Sequence, residues 1–168
     1  ATASPVPVII YNVPGRTGSN VAAETTLRLA NDCKNIIAIK EASGNFAQIM
    51  QIIKQKPKNF QVISGDDALT LPLIALGASG VISVVANAFP RDFSAMVNHA
   101  LKSEMGKAAA LHYKLLELIN ALFEEGSPSG VKAVLEILKI AHNNVRLPLA
   151  PVSEKHYAKL DGLVKKIK

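Results

Sequence analysis

Hydrophobic residues in the first half of the chain form four short runs, which are separated by polar or glycine-containing turns and by helical stretches. The runs cover residues 8–11, 36–39, 60–63 and 81–84. Most of them are nearly continuously apolar, which is typical of strands that are covered on both faces. We therefore predict four strands here.

Between these runs, apolar residues recur at helical spacing. The pattern predicts helices over residues 21–32, 45–55 and 68–76, the last of which ends at Gly77. Alternating strands and helices imply parallel strands joined by right-handed crossovers. The strand-to-strand spacing of roughly 20–28 residues suits either a barrel or a doubly wound sheet.

After Pro90 the strand-like runs stop. Amphipathic helices are predicted over residues 91–102, 104–124, 131–142 and about 153–167, and their leucine stripe is interpreted as core or interface packing. Four strand–helix units are too few for a closed eight-stranded barrel of about 250 residues. An open four-stranded sheet is possible, and a half-barrel would leave two unpaired edges. The pattern alone leaves both open.

Composition narrows the class of protein. The chain is 49% hydrophobic and 19% charged, which excludes a disordered segment. A single cysteine, Cys33, excludes a disulfide framework and a cysteine-based zinc site, and it suits a reducing cytoplasm. No apolar run approaches the roughly 18 residues of a membrane helix, and no signal peptide opens the sequence. We expect a soluble, cytoplasmic, globular protein that binds no membrane.

The net charge of +6 does not indicate a nucleic-acid partner. Residues 1–90 hold 7 basic and 5 acidic side chains, and residues 91–168 hold 12 and 8, so the excess is spread along the chain. Only Lys165, Lys166 and Lys168 cluster, and no aromatic residues are interleaved with the basic ones. Proteins that bind nucleic acid usually concentrate basic residues on one face and add aromatic residues for stacking.

Lys40 is the strongest candidate for chemistry, because it ends an isoleucine-rich strand. Parallel sheets gather their active groups at the carboxyl ends of the strands. By strict alternation Lys40 shares a face with Ile36 and Ala38. Partial desolvation there favours a neutral amine, which can attack a carbonyl to form a Schiff base. The alternative is a solvated lysine or one paired with Glu41 or Asp66.

Other strand ends carry weaker candidates. Tyr11 could transfer protons from the same interior face, or be a buried tyrosine with a satisfied hydroxyl. Arg16 could bind a carboxylate through two hydrogen bonds, or be a solvated loop arginine. Gly65 could let the backbone approach a ligand, or simply make a turn. Asp66 and Asp67 are interpreted as capping groups before a helix rather than as acid–base groups.

The sequence gives little support for a metal site or for a nucleotide- or anion-binding site. The histidines lie on separate predicted helices without metal-ligand spacing, so no metal site is predicted: His99, His112, His142 and His156. The sequence has no Walker or dinucleotide-binding glycine pattern. Gly44 and Asn45 open a helix and offer only a weak alternative anion site.

Taken together, the strand ends resemble one family, the dihydrodipicolinate synthases. The segments that carry the resemblance are, in order, YNVPGRTG at 11–18, IKEASG at 39–44, SGDD at 64–67 and GVISV at 80–84. It extends into the helical tail, with Pro128, Lys132 and the RLPL stretch at 146–149. Four motifs in the same order and spacing make the resemblance specific, and it covers essentially the whole chain.

The resemblance implies an α/β fold that is the second half of a (β/α)₈ TIM barrel plus a C-terminal helical domain. Residues 1–90 would hold barrel strands five to eight, and residues 91–168 the last barrel helix and the helical domain. The family condenses pyruvate with aspartate semialdehyde in lysine and diaminopimelate biosynthesis. It needs no metal or organic cofactor, because the imine accepts the electrons, and it usually forms a homo-oligomer, a tetramer or a dimer.

The resemblance also assigns roles to single residues. Lys40 matches the lysine that forms the Schiff base with pyruvate, and Tyr11 matches the tyrosine that relays protons. Arg16 matches the arginine that receives the carboxylate of the semialdehyde. Gly65 and Ile82 match positions that line the substrate pocket.

Alternatives remain. N-acetylneuraminate lyase and 2-keto-3-deoxy-sugar acid aldolases share the lysine and the tyrosine, although Arg16 favours the synthase. A non-catalytic half-barrel that serves as an assembly module is a third possibility. The first four strand–helix units of the family have no counterpart in the sequence, and neither does the threonine pair expected to bind the pyruvate carboxylate. We therefore expect the chain to be a fragment of a longer enzyme, inactive by itself.

Overall fold

Four parallel strands form one sheet, in the order in which they occur along the chain. The computed structural model describes residues 1–168. The strands are β1 (Val8–Asn12), β2 (Ile36–Glu41), β3 (Gln61–Ser64) and β4 (Gly80–Val81). Each pairs in parallel with the next, so the prediction of consecutive parallel strands with helical crossovers is confirmed.

Helices connect the strands and continue after the sheet ends. Those in the first half are α1 (Pro14–Thr17), α2 (Ala23–Asp32), α3 (Phe46–Gln55) and α4 (Thr70–Ala75). A short 3₁₀ turn at Val85–Asn87 precedes α5 (Pro90–Leu101), α6 (Met105–Ala121), α7 (Ser129–Ile137) and α8 (Glu154–Ile167). None of these helices has the combination of length and apolar character needed to span a membrane.

The chain separates into two compact units, Ala1–Ser83 and Val84–Lys168. The first unit contains the sheet and α1–α4, and the second contains only helices and turns. All of the site residues predicted from the sequence lie in the first unit. The division into barrel and helical domains at residue 90 stays a prediction.

The core of the first unit lies between the sheet and its helices. Ile39 and Val62 on the strands and Ile49, Ile52 and Leu73 on the helices are almost completely buried in one cluster. Full burial of such a side chain stabilises the fold by about 1.5–3 kcal/mol. These residues cover one face of the sheet, so the strand ends are held on a rigid support.

The alternation predicted for β2 is wrong at its first residue. Ile36 packs in the same core cluster as Ile39, and does not share the face of Lys40. The cause is a shift in the pairing with β1, where Val8 pairs with Ile36 but Ile9 pairs with Ala38. One residue of β2 is thus left without a partner, and the alternation restarts after it.

The fourth strand is shorter than predicted. The apolar run suggested residues 81–84, but β4 contains only Gly80 and Val81. The amide of Ile82 still donates to the carbonyl of Ser64 at 3.0 Å. By Val84 the backbone has turned to helical dihedral angles, where the 3₁₀ turn begins. An apolar run cannot by itself distinguish a strand from a buried turn.

The predicted helix over residues 131–142 also has different bounds, because α7 covers Ser129–Ile137. Lys139 has a φ of 60° and so leaves the helical conformation. The amide of Ile140 then donates back to the carbonyl of Leu135 at 2.8 Å, which closes the end of the helix.

Candidate active site

Lys40 and Tyr11 lie side by side at the carboxyl ends of β2 and β1. The two residues are direct partners in the parallel pairing of these strands. Nζ of Lys40 lies above the face of the Tyr11 ring, 4.0 Å from its centroid. The structure therefore brings together an amine and a phenol, the nucleophile and the proton-transfer group predicted from the sequence.

This pair lies on the face of the sheet opposite the helices. Tyr11 is 46% exposed and Ile9, two residues earlier, is 43% exposed. On the other face, Asn12 and Glu41 are each 1% exposed. Lys40 itself is half-buried. A small molecule can thus reach the amine from one side, while the strand that carries it is packed on the other.

Gly65 lies against the Lys40 side chain. A Cβ atom at this position would be 3.1 Å from Cε of Lys40, 3.2 Å from the carbonyl oxygen of Glu41 and 2.8 Å from Cβ of Ala42. Its amide also donates to the Glu41 carbonyl at 2.7 Å. The position therefore requires glycine because there is no space for a side chain beside the lysine.

Arg16 and Ile82 follow strands at the same edge of the sheet. Arg16 belongs to α1, the single helical turn after β1, and is exposed. Ile82 comes directly after β4 and is 45% exposed. Both residues are accessible at the carboxyl edge, where Lys40 is the second-last residue of β2. Their roles toward a substrate stay predictions.

The two carboxylates proposed as partners of Lys40 bind other groups. Oδ1 of Asp66 accepts hydrogen bonds from the amides of Ala68 at 2.9 Å and Leu69 at 3.2 Å. It therefore supports the turn before α4, but the prediction of an aspartate cap is wrong, because the N-cap residue of α4 is Leu69 and no side chain caps the helix. Glu41 points to the opposite face of β2, away from the amine of Lys40.

A polar network that the sequence pattern did not predict surrounds Glu41. Oε1 of Glu41 accepts hydrogen bonds from Nδ2 of Asn12 at 2.7 Å and from Nε2 of Gln48 at 3.1 Å. Oε2 accepts from Oγ of Ser43 at 2.6 Å and from its amide at 3.3 Å. All four donors are uncharged, and the carboxylate is almost completely buried.

Asn20 extends this network into the loop between α1 and α2. It accepts from Nδ2 of Asn12 at 2.9 Å and donates to Oε1 of Gln48 at the same distance. Oδ1 of Asn12 accepts from the amide of Val21 at 3.0 Å. A signal for the network was present in the sequence, since Asn12 and Glu41 interrupt the apolar alternation on the helix-facing side of their strands.

No group of three or more histidine, cysteine, aspartate or glutamate side chains in the 168 residues is arranged to hold a metal ion. The reactive side chains that the structure places at the strand ends are the amine of Lys40, the phenol of Tyr11 and the guanidinium of Arg16. An amine beside a phenol on an accessible face is suited to attack on a carbonyl with proton transfer.

Comparison with known proteins agrees with this arrangement of parallel strands and helices. The model of the Dihydrodipicolinate synthetase family matches residues 1–167. The chain therefore belongs to this family. Its α/β fold, with four parallel strands followed by helices, confirms the fold class predicted from the sequence.

Individual relatives are similar along the whole chain. The 4-hydroxy-tetrahydrodipicolinate synthase of Phocaeicola vulgatus is 55% identical over 168 residues, which is 100% of this chain and 57% of that protein. The crystal structure of the synthase from Thermotoga maritima superposes with a TM-score of 0.96 at 38% identity, covering 99% of this chain and 57% of its own.

A third relative was solved with a ligand. The dihydrodipicolinate synthase from Acinetobacter baumannii, chloride-inhibited and complexed with pyruvate, has a TM-score of 0.92 at 37% identity and covers 99% of this chain and 57% of its own. The chain thus spans slightly more than half the length of the relatives that it matches.

Proposed function

We propose that this chain carries the Schiff-base chemistry of a 4-hydroxy-tetrahydrodipicolinate synthase, which condenses pyruvate with aspartate semialdehyde. Membership of the family and the pyruvate-bound relative support the choice of substrates. The observation that carries the proposal is the contact of Lys40 with Tyr11, in which Nζ lies 4.0 Å from the ring centroid on an accessible face.

In the first step, the neutral amine of Lys40 attacks C2 of pyruvate. The carbonyl oxygen takes up a proton, and loss of water from the resulting carbinolamine leaves an imine between Nζ and C2. We assign the transfer of protons to and from the oxygen and nitrogen to Tyr11, which matches the proton-relaying tyrosine of the family and whose ring face lies 4.0 Å from Nζ.

In the second step, the protonated imine draws electrons from the methyl group of pyruvate. Loss of a methyl proton gives an enamine, whose carbon attacks the aldehyde of aspartate semialdehyde. The amino group of that substrate then attacks the imine carbon, which closes the ring and releases Lys40. No external oxidant or reductant is needed, since the imine serves as the electron sink.

The remaining predicted residues bind substrate in this proposal. Arg16, exposed after β1, would hold the carboxylate of the semialdehyde with two hydrogen bonds. Gly65 and Ile82 would line the pocket beside the lysine. A homo-oligomer, tetramer or dimer, in the cytoplasm belongs to the same proposal, and analytical ultracentrifugation would measure the oligomeric state.

The proposal is tested by trapping the imine. The protein is incubated with pyruvate and borohydride, which reduces the C=N bond to a stable secondary amine, and the modified peptide is identified by mass spectrometry. We expect a carboxyethyl group on Lys40. The reaction is run first on the 168-residue chain and then on any longer protein that contains it.

Two controls make the result specific. Lys40→Arg should abolish the adduct, while Lys56→Arg should leave it intact, because the Lys56 amine already binds the carbonyl of Phe60 at 2.6 Å. An adduct spread over several lysines, or none in either protein, would refute the assignment. Given a Lys40 adduct, turnover with aspartate semialdehyde identifies the second substrate.

A further inference from the structure

The carboxylate of Glu41 is buried on the reverse side of the strand end that carries Lys40. It is 1% exposed and accepts hydrogen bonds only from uncharged groups, namely Asn12, Gln48 and Ser43. A buried carboxyl group without a cation is costly unless hydrogen bonds satisfy its oxygens. Packing alone therefore does not explain why a glutamate occupies this buried position.

The hydrogen bonds around this group all run toward its two carboxyl oxygens. Oδ1 of Asn12 accepts from the Val21 amide, so the Nδ2 of Asn12 must be the atom that faces Glu41. Oγ of Ser43 accepts from the Asn45 amide and directs its own proton to Glu41. Both oxygens of Glu41 therefore act as acceptors in this network.

The partners of Glu41 come from three segments around the candidate site, and Asn20 adds a fourth. Asn12 ends β1, directly after Tyr11, and is paired with Glu41 in the sheet. Gln48 belongs to the first turn of α3 and donates to the carbonyl of Val21 at 3.2 Å. Asn20 holds the end of the loop that begins at α1, which contains Arg16.

We infer that Glu41 is a positioning residue, whose buried carboxylate holds the Lys40 strand end, the Tyr11 strand end and the Arg16 loop in one fixed arrangement. It touches no substrate, because it lies on the helix-facing side of the sheet. The effect of Glu41 on catalysis rests on the proposed function, whereas its role in holding the strand ends together does not. Misplacement of a reacting group by about 1 Å can cost about 100-fold in rate.

Exchange of donors and acceptors between residues 12 and 41 tests this inference. Asn12→Asp places two carboxylates against each other in a buried position, which disrupts the network while it preserves size. Glu41→Gln combined with Asn12→Asp restores one donor–acceptor pair, because the new amide can donate to the new carboxylate. A double-mutant cycle measures the coupling.

We expect Asn12→Asp to slow the borohydride-trapped reaction of Lys40 with pyruvate by about 10- to 100-fold. The double variant should recover most of that loss. Backbone amide exchange should accelerate in residues 9–22 and 36–45 of the single variant and slow again in the double variant. All rates are measured well below the unfolding temperature of each variant.

Thr26→Val serves as the matched control. Thr26 is fully buried in the same unit, and its hydroxyl donates to the carbonyl of Ala22 at 3.2 Å within α2. Loss of that bond should reduce stability without a change in trapping rate or in exchange at the strand ends. The control therefore separates a general loss of stability from a loss of positioning.

The inference would be overturned if Asn12→Asp reacted with pyruvate, and exchanged its strand-end amides, at wild-type rates. It would also be overturned if the double variant recovered none of the loss seen in Asn12→Asp. If the wild-type protein forms no Lys40 adduct, the proposed function fails. Amide exchange in the same variants still decides whether Glu41 holds the strand ends together. The two failures are thus distinguishable.

Discussion

Nζ of Lys40 lies over the ring of Tyr11, 4.0 Å from its centroid, and the two residues are paired across neighbouring parallel strands. The face of an aromatic ring carries negative charge and attracts a cation by about 0.5–2 kcal/mol. A protonated Schiff base places its positive charge on this same nitrogen. In the proposed mechanism the ring face would stabilise this charged intermediate, and the hydroxyl group would transfer protons.

Tyr11→Phe separates these two roles of the tyrosine. The ring face remains, so we expect the Lys40 adduct with pyruvate still to form after borohydride reduction, but more slowly than in the wild-type protein. Turnover to product should fall by about 10²- to 10⁴-fold, because the hydroxyl that transfers protons is lost. Steady-state kinetics and peptide mass spectrometry measure the two effects. Turnover equal to wild type would exclude Tyr11 as the proton-transfer group.

Gly65→Ala tests the close approach of the backbone to Lys40. The added methyl group would be 2.8 Å from Cβ of Ala42 and 3.1 Å from Cε of Lys40, which requires the lysine or the strand end to move. We expect trapping of Lys40 to be slowed at least about 10-fold, and stability to fall by about 1–3 kcal/mol from overpacking.

Gly162→Ala is the matched control for this substitution. Gly162 lies within α8, and a Cβ atom there would contact nothing within 4 Å. Replacement should stabilise the helix by about 0.5–1 kcal/mol without an effect on Lys40. If Gly65→Ala traps pyruvate as fast as Gly162→Ala, the close packing against Lys40 has no functional role.

Arg16→Ala tests the carboxylate-binding role assigned to the α1 turn. Loss of charge-assisted hydrogen bonds worth about 1.5–3 kcal/mol should raise KM for aspartate semialdehyde by about 10- to 100-fold. Formation of the pyruvate adduct on Lys40 should be unchanged. Arg28→Ala, a change of an arginine in α2 away from the strand ends, provides the control. An equal effect on both substrates would show that Arg16 acts elsewhere.

Lys40 and Tyr11 could be placed together from the sequence because both follow from simple rules. Apolar runs define the strands, parallel order follows from the intervening helices, and the carboxyl ends of parallel strands share one edge. Their position near the carboxyl ends requires only the strand bounds, since each is the second-last residue of its own strand. The family resemblance added the roles, which the pattern of residues left open.

Features that depend on exact register or on long-range partners could not be predicted in this way. The shift between β1 and β2 moved Ile36 to the helix-facing side, although strict alternation placed it beside Lys40. The Glu41 network joins residues up to 29 positions apart, from Asn12 to Glu41. A polar residue in an apolar run signals a buried partner, but does not identify it.

His112 gives the second unit a pH-dependent stability. It lies in α6, is 7% exposed, and its Nδ1 atom is buried without a hydrogen-bond partner. Burial lowers the pKa of His112 below its ordinary value of 6.5, because desolvation disfavours the charged ring. The unfolded chain therefore binds this proton more tightly, and stability falls as the pH drops below about 6.5.

We therefore expect His112→Leu to flatten the decline of unfolding free energy between about pH 7.5 and about pH 5, as measured by urea denaturation at several pH values. His142→Gln is the control, because His142 is exposed and its loss should leave the slope unchanged. Each variant removes one histidine, so a difference between their slopes reports the burial of His112. An undiminished slope in His112→Leu would show that other groups cause the acid sensitivity.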